Sequence, residues 1–600
     1  MSRFQIYPPI GVARVGNSPE SFPGPQHPGV PANWDAEARR FLAFKDLQGR
    51  VKRQAAVFRV AEVDEGGQFV RFVTSGVSWR VHVANRKAAF FTFNGPSGVG
   101  RDGKPPYAER SDAQHPATAV EKENRGRGAP QRFNMRDALV ADRASLVIDP
   151  GEVLVPQTGA VEFRVAQPRT PISYLGEASM DSSGSLLVLG GVGASGTNGG
   201  APIDEYANND GWFDDVGDGP VRATVTLPSG EQVEAEQAWV IVGPPDFAPG
   251  LTNMVTLYDT LSDLVIRTGL PIAAGGDPDL LDLEVQQRAW WAPTNDFDET
   301  FTPSFTKHVY PMLARGLGAR DVHEFPSRPG FHGSLANWPR LSSPDEAQAR
   351  AAVFSRVRDP NALTPDWKGM PRGLGDEFPS LDRFEELTEA GNDVEFTTPK
   401  AFLSFTPVQY AILKKWLEGK FVSDWAHGDV KYEPIPTPPE SVTPHGLTRA
   451  ALESCVGGPF MPGIEVGWLV REAALYERAF RLKPVGLALG PLTLDAGFFS
   501  QQMAQPWHAD FYDCHKEDHT PDGEVDPLVY MWWTTIRPDD IRASADGPYR
   551  RWVLPFDAAK DADVEDADDI RNLARFEQMR TRWHLLSFVV LEGDEHVEQK

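Results

Sequence analysis

Cysteine is nearly missing from this chain of 600 residues, which has only Cys455 and Cys514. Two cysteines cannot build a disulfide framework. Neither lies in a C-x-x-C or C-x-x-C-H pattern, so zinc-ribbon, thioredoxin-like and attached c-type haem readings fall away. Positive charge is also scarce: 59 Lys and Arg against 84 Asp and Glu leave a net charge of -25, and such a surface repels phosphate backbones. Nucleic acid is therefore not an expected partner. No apolar run approaches the length of a membrane span, and no membrane association is expected. The start, MSRFQIYPPIGVARVG, has no continuous apolar core and no small-residue cleavage site. The expectation is a cytoplasmic chain, or one exported without a cleaved signal peptide.

Turn formers are plentiful, with 54 Gly and 52 Pro, too many for a mainly helical protein. Residues 1–245 read as a β-rich domain with short strands at Ala55–Val63, Phe69–Thr74, Ala88–Phe93, Ser185–Leu189, Val221–Leu227 and Ala238–Val242. Residues 246–455 read as mainly helical. Leu251–Thr268 puts Leu251, Val255, Tyr258, Leu261 and Val265 on one face before Gly269. Thr406–Leu417 has an N-cap Thr406, then Pro407, a Val408–Ile412–Trp416 stripe and Gly419 beyond its end. Pro-rich connections at Phe325–Ser343, Asp359–Pro379 and Tyr432–Pro444 separate the helices. Residues 456–600 are mixed α/β and carry the candidate site. The fold class is α+β, with a β-rich N-terminal half, a helical middle and a mixed C-terminal region.

Two motifs are weaker than they look. Gly191-Val-Gly193-Ala-Ser-Gly196 fits G-x-G-x-x-G, but GTNGGAPIDEY stands where a dinucleotide fold needs a helix, so a plain loop is expected. Asn208 to Asp218 is carboxylate-rich yet lacks the ligand alternation and terminal Glu of a calcium loop, so it reads as a structural turn.

The densest set of reactive side chains is Trp507-His508-Ala-Asp510-Phe-Tyr512-Asp513-Cys514-His515-Lys-Glu-Asp-His519. It has three readings. It could be a polar loop with a buried cysteine. It could be a metal site drawing on His508, Asp510, Cys514, His515 and His519, although the spacing matches no common site. Or Asp510 and Cys514, four residues apart and so on one face of a helix or a strand, could act as a unit with the carboxylate as general base. Further on, Ile570, Leu573, Phe576, Met579 and Trp583 recur at spacings of three and four, and Leu585–Leu591 reads as a buried strand. Trp583 is thus expected to face inward at a helix-to-strand junction, as a core residue or as something more.

Several motifs in order carry a family resemblance. They are Tyr7-Pro-Pro-Ile-Gly-Val-Ala-Arg-Val-Gly-Asn-Ser18, Phe44-Lys-Asp with Gly49-Arg-Val-Lys-Arg-Gln-Ala-Ala56, and Gly211-Trp-Phe-Asp-Asp215 with Asp218-Gly-Pro-Val221. Nearer the C-terminus they are Cys455-Val-Gly-Gly-Pro-Phe-Met-Pro-Gly-Ile-Glu465, Pro506-Trp-His-Ala-Asp-Phe-Tyr-Asp-Cys514, Trp532-Trp533 with Arg537-Pro-Asp-Asp540, and Met579 with Trp583. The chain resembles the cysteine tryptophylquinone oxidases that include L-lysine epsilon-oxidase and glycine oxidase. The resemblance implies that Cys514 and Trp583 are joined as a cysteine tryptophylquinone (CTQ) cofactor. It implies that Asp510 is needed for its maturation and for catalysis. Trp532, Trp533 and Trp552 are the alternative tryptophans, without the Met-to-Trp helix context. Cys455 is a substrate contact or a small buried residue, and His508 and Tyr512 are candidate substrate contacts beside Asp510.

The activity so implied is oxidative deamination of a primary amine or amino acid, a lysine side-chain amine or a glycine-like one, with O2 reduced to hydrogen peroxide and ammonia released. A flavoprotein maturation partner and a homo-oligomer are implied too. A metal-dependent enzyme and a non-catalytic scaffold homologue remain the alternatives.

Overall fold

The computed structural model describes residues 3–89, 144–200, 202–203, 209, 211–318, 322, 337–362, 370, 403–428, 435–436, 438–457, 467–489, 492–513, 535–538, 540–542, 547–552, 576–592 and 595–600. Its organising element is a 13-stranded sheet in the N-terminal half. The main path runs through the strands that begin at Ala160, Tyr174, Leu186, Arg53, Ile10, Ala238, Asp218, Val77 and Val153, with four further strands paired off it. Most pairings are antiparallel, but Ile10–Arg14 lies parallel to Ala238–Gly243, with Val12 opposite Ile241. Both of these central strands are buried along their whole length. That is why they read as continuous apolar runs, whereas Leu186–Gly190 alternates buried and half-buried positions. Arg53–Val63 is the longest strand and holds the layers in register, with Leu186 opposite Phe58 and Tyr7 opposite Arg59. Of the strand expected at Ala88–Phe93, residues 90–93 lie outside the described residues, and Ala88 and its neighbour 89 form a turn.

The chain leaves this sheet at one point to build a wall of the candidate site. Leu186–Gly190 ends at Gly190, where a Cβ would come within 2.4 Å of Val242. The chain then makes a short strand Ser195–Thr197 against Trp212–Asp214 and re-enters the sheet at Asp218. The glycine-rich stretch is a loop and no helix starts there, as expected, though its Ser195–Thr197 part is a strand.

The middle of the chain is helical. Pro407–Leu417 has the expected bounds: Thr406 accepts from the backbone N–H of Gln409, and the Gln409 side chain returns a bond to Thr406, a reciprocal cap. The helix expected from Leu251 instead runs Leu257–Thr268, capped by Gly269, whose φ is +70°. Two constraints delay it. Thr256 and Asp259 form a reciprocal cap, and residues 255–257 around that cap bridge to the 455–457 segment, with Gly457 N–H bonded to Val255 O and Leu257 N–H to Cys455 O. Leu251 and Val255 are buried in that approach rather than on the helix. Within the Phe325–Ser343 connection, Trp338–Leu341 forms a short helix capped by Asn337.

In the C-terminal region Trp507–Asp513 is helical, residues 576–582 are helical, Trp583–Leu585 is a 3-10 turn, and the strand runs Phe588–Glu592. Leu585, expected inside that strand, lies in the turn and is exposed. Among the described residues no helix is long and apolar enough to cross a membrane.

Candidate active site

The Trp507–Asp513 helix is enclosed from the start, with Trp507, His508, Ala509, Asp510 and Phe511 all at most 1% exposed. A helix this short is not stable by itself, so its position must come from neighbours. Its first backbone N–H, that of Trp507, is held by Asp214 Oδ2 at 2.9 Å. The same carboxylate oxygen accepts from Lys87 Nζ at 2.7 Å, Asp214 Oδ1 accepts from Asn85 at 2.9 Å, and Lys87 also donates to Ala504 O at 2.6 Å. Lys87 and Asp214 are a fully buried ion pair. On the far side Phe511 packs edge-on against Phe247, which also meets Trp552 and Phe588. Arg537 donates to the Phe511 carbonyl.

Trp583 is delivered to this helix by the 576–582 segment. Phe576 lies edge-on to Tyr512 at 4.6 Å, and Phe576, Ala509, Trp212 and Ile203 form a small apolar cluster. Trp583 is 3% exposed and its ring meets that of Trp507 at 5.6 Å and 70°. The Trp507 ring is stacked on His508 at 3.7 Å. Trp507 and Asp510, at i and i+3, share a helix face. Asp510 and Trp583 thus belong to one buried assembly.

The third wall is the glycine loop. The Gly193 carbonyl accepts the indole N–H of Trp583 at 3.1 Å and lies 3.0 Å from His508 Nε2. Since a carbonyl can only accept, His508 bears its proton on Nε2 and presents an unprotonated Nδ1. Burial pulls the His508 imidazole down to about 3, so it stays neutral over the working pH range. Gly193 has φ +73°, and a Cβ there would lie 2.2 Å from the Trp583 ring, so only glycine fits. Asp215 braces the loop: its Oδ2 accepts from Ala194 N–H at 2.9 Å, and its own N–H donates to Ala194 O. A Cβ on Gly191 would lie 2.3 Å from the same oxygen. Burial pushes the Asp215 carboxyl up to about 7, amide donors oppose it, and the neighbouring Asp214 adds to it.

Four buried atoms on these residues, His508 Nδ1, Trp507 Nε1, Ser195 Oγ and Asp215 Oδ1, have no hydrogen-bond partner among the described residues. Unpartnered buried polar atoms on these walls can receive polar groups. Together with the cradle around the Trp583 ring they suit a modified, polar indole.

The Asp215 carboxyl predicts a pH effect. Its folded value lies above the ordinary 3.8, so its stabilising contribution is complete below about 4 and is lost as pH rises through about 7. Asp215→Asn removes that titration. The stability of the parent relative to Asp215→Asn, measured by urea unfolding at fixed pH steps, should decline from pH 4 to 7 and then level off. A flat difference would mean that Asp215 is ionised throughout.

Not every expected site residue joins this assembly. Cys514, His515 and His519 lie outside the described residues, as do Trp532, Trp533, Ile570 and Leu573. Tyr512 is half-buried with its ring on Phe576. Trp552 is a core residue whose indole N–H donates to Ser587 O at 2.9 Å. Cys455 is buried at the end of the Pro444–Glu453 helix, its thiol 3.7 Å from Ala451 O and pushed up by burial. Among the described residues, the group with metal-ligand geometry is Asp277, Asp279 and His445, in the helical middle. The loop at Gly193 and the Asp214–Asp215 pair are site components that motif reading alone discounted. Their only sequence signal was their place in the family motifs or, for the loop, glycine spacing.

Residues 7–242 match a family model described as L-lysine epsilon oxidase N-terminal, and residues 388–533 match the L-lysine epsilon oxidase C-terminal domain. An L-lysine 6-oxidase of Marinomonas mediterranea is 28% identical over 570 residues, covering 85% of this chain and 70% of the relative. Among solved structures, the Schiff base intermediate of L-Lys epsilon-oxidase from Marinomonas mediterranea with L-Lys superposes with a TM-score of 0.70 at 22% identity, covering 99% of this chain and 94% of that one. A second crystal structure of the L-Lys epsilon-oxidase from Marinomonas mediterranea gives 0.68 at 21% identity, with the same coverage. These superpositions establish the α+β fold.

Proposed function

Because this chain belongs to the L-lysine epsilon-oxidase family, we propose that it is an amine oxidase whose Cys514 and Trp583 are joined as a cysteine tryptophylquinone. The supporting observation is the placement of Trp583. Its indole is buried against the helix that carries Asp510, with its N–H held by the Gly193 carbonyl. A ring that must react in one orientation requires such fixation.

When formed, the quinone supplies an electrophilic carbonyl and an electron sink, which no unmodified side chain offers. The remaining work falls to the residues around it. The Gly193 loop and Trp507 hold the ring plane, and their burial keeps bulk water away. Asp510 accepts the proton from the carbon next to the substrate nitrogen, as a general base. Neutral His508, whose Nδ1 has no partner among the described residues, accepts a hydrogen bond from the substrate amine and does not compete as a cation. The overall reaction converts amine, O2 and water into aldehyde or oxo acid, ammonia and hydrogen peroxide.

The substrate is proposed to be a primary amine of the L-lysine type, in keeping with the named activity of the relative. The net charge of -25 favours the approach of such a cation. A flavoprotein partner for maturation and assembly into a homo-oligomer belong to the same proposal.

Peptide mapping by mass spectrometry tests the cofactor. The expected result is one peptide in which Cys514 is bound to Trp583, carrying the oxygens of a dione and lacking the hydrogens displaced. Separate, unmodified Cys514 and Trp583 peptides in an active preparation would end the proposal. Peroxide release from a panel of amines should be greatest with L-lysine. Release from glycine alone would move the substrate to the alpha amine and leave the cofactor reading intact.

A further inference from the structure

The adjacent carboxylates Asp214 and Asp215 serve different walls of the site. Asp214 takes the Trp507 N–H and so sets where the Asp510 helix begins. Asp215 takes the Ala194 N–H and returns its own N–H to Ala194 O, closing the loop whose carbonyl binds the Trp583 indole. Both carboxylates are fully buried. No step of the amine oxidation uses Asp215.

We propose that Asp215 is a positioning residue for Trp583: it pins the 191–194 loop so that the Gly193 carbonyl holds the indole in the one orientation that faces the Asp510 helix. This rests on the reading of Trp583 as the cofactor residue.

Three observations carry it. First, loop and carboxylate are matched atom to atom, since Gly191 has room for the Asp215 oxygen only by lacking a Cβ. Second, Gly193 faces the ring so closely that any shift of the loop must move the ring or lose the hydrogen bond. Third, among the described residues the other hydrogen bonds to residues 191–194 are a 3.4 Å bond from Gly16 N–H to Gly191 O and the two that end on the Gly193 carbonyl, from His508 and Trp583, so Asp215 is what fixes the Ala194 end. The groups facing Asp215 are the Val192 and Ala194 amides and the Asp214 carboxylate, whose own charge is matched by Lys87. What Asp215 contributes is therefore hydrogen-bond acceptance at fixed geometry, which an amide oxygen can reproduce.

The test uses the full chain, expressed under conditions in which the parent forms the Cys514–Trp583 peptide. Asp215→Ala should convert about a hundredfold more slowly, the scale of a misplacement of about 1 Å. Asp215→Asn, which keeps an acceptor oxygen, should restore conversion. Hydrogen exchange at residues 191–195 should rise in Asp215→Ala and not in Asp215→Asn. Gly191→Ala, which pushes the carboxylate away without removing it, should behave like Asp215→Ala and stands in for it if that variant fails to fold. Parent-like conversion in folded Asp215→Ala or Gly191→Ala overturns the inference, as does an Asp215→Asn variant as defective as Asp215→Ala. If the parent itself lacks the linked peptide, the cofactor reading fails. If the parent has it and the variants do too, only the role of Asp215 fails.

Discussion

Asp510→Ala is expected to give a folded protein with no quinone absorbance and no measurable peroxide release. Asp510 is 1% exposed on a helix that is also held by Asp214, Phe247 and the Trp507–Trp583 contact, none of which its replacement by alanine removes. What is lost is the carboxylate of the helix that packs against Trp583. If only turnover needed it, the rate would fall by about a hundred- to ten-thousand-fold, the usual worth of a general base, and the absorbance would persist. Loss of both assigns it to maturation as well. Asp510→Asn separates shape from charge: it fills the same space and should show the same two losses. The measurements are the visible spectrum, the Cys514–Trp583 peptide and peroxide release. Full absorbance with full turnover in Asp510→Ala would remove this residue from the proposal.

Lys87→Met is expected to have the largest effect on stability. Lys87 is 1% exposed and its ammonium is matched by Asp214 and the Ala504 carbonyl, with no access to water. Removing it leaves Asp214 as a buried, uncompensated charge, at a cost of about 3–5 kcal/mol. The cost falls where the Trp507–Asp513 helix starts, so folded Lys87→Met should also form less of the linked peptide. Urea unfolding gives the first quantity and peptide mapping the second. Pairing Lys87→Met with Asp214→Leu removes both charges and should recover much of the stability while leaving the Trp507 N–H without its acceptor. A midpoint unchanged from the parent in Lys87→Met would show that the pair contributes nothing.

The parts of this fold that could be read from sequence are those decided within a few residues. Pro407–Leu417 is bounded by Thr406, Gln409 and Gly419, all local, and the helix has the expected limits. The three-and-four spacing that ends at Trp583 correctly turned the indole inward. Distant partners decided the rest. The Leu257 helix starts late because residues 255–257 are bonded to 455–457. The glycine loop was legible as a loop, but its meaning depends on a partner 390 residues away. Asp214 looked like part of a polar turn because Lys87, which makes it an interior ion, lies 127 residues earlier. Cys455 was open between a substrate contact and a small buried residue; it is buried just beyond the Pro444–Glu453 helix, where its thiol meets the Ala451 carbonyl.

The Gly193 carbonyl has a consequence for dissecting this enzyme. It belongs to the segment matched by the N-terminal family model, while its two donors, His508 and Trp583, lie 315 and 390 residues downstream. A fragment ending near residue 242 would carry the acceptor without either ring, and a fragment starting later would carry both rings without their anchor. Split-gene complementation or swapping one half with a homologue therefore rebuilds the reactive centre only when the two pieces dock with the fidelity of the intact chain.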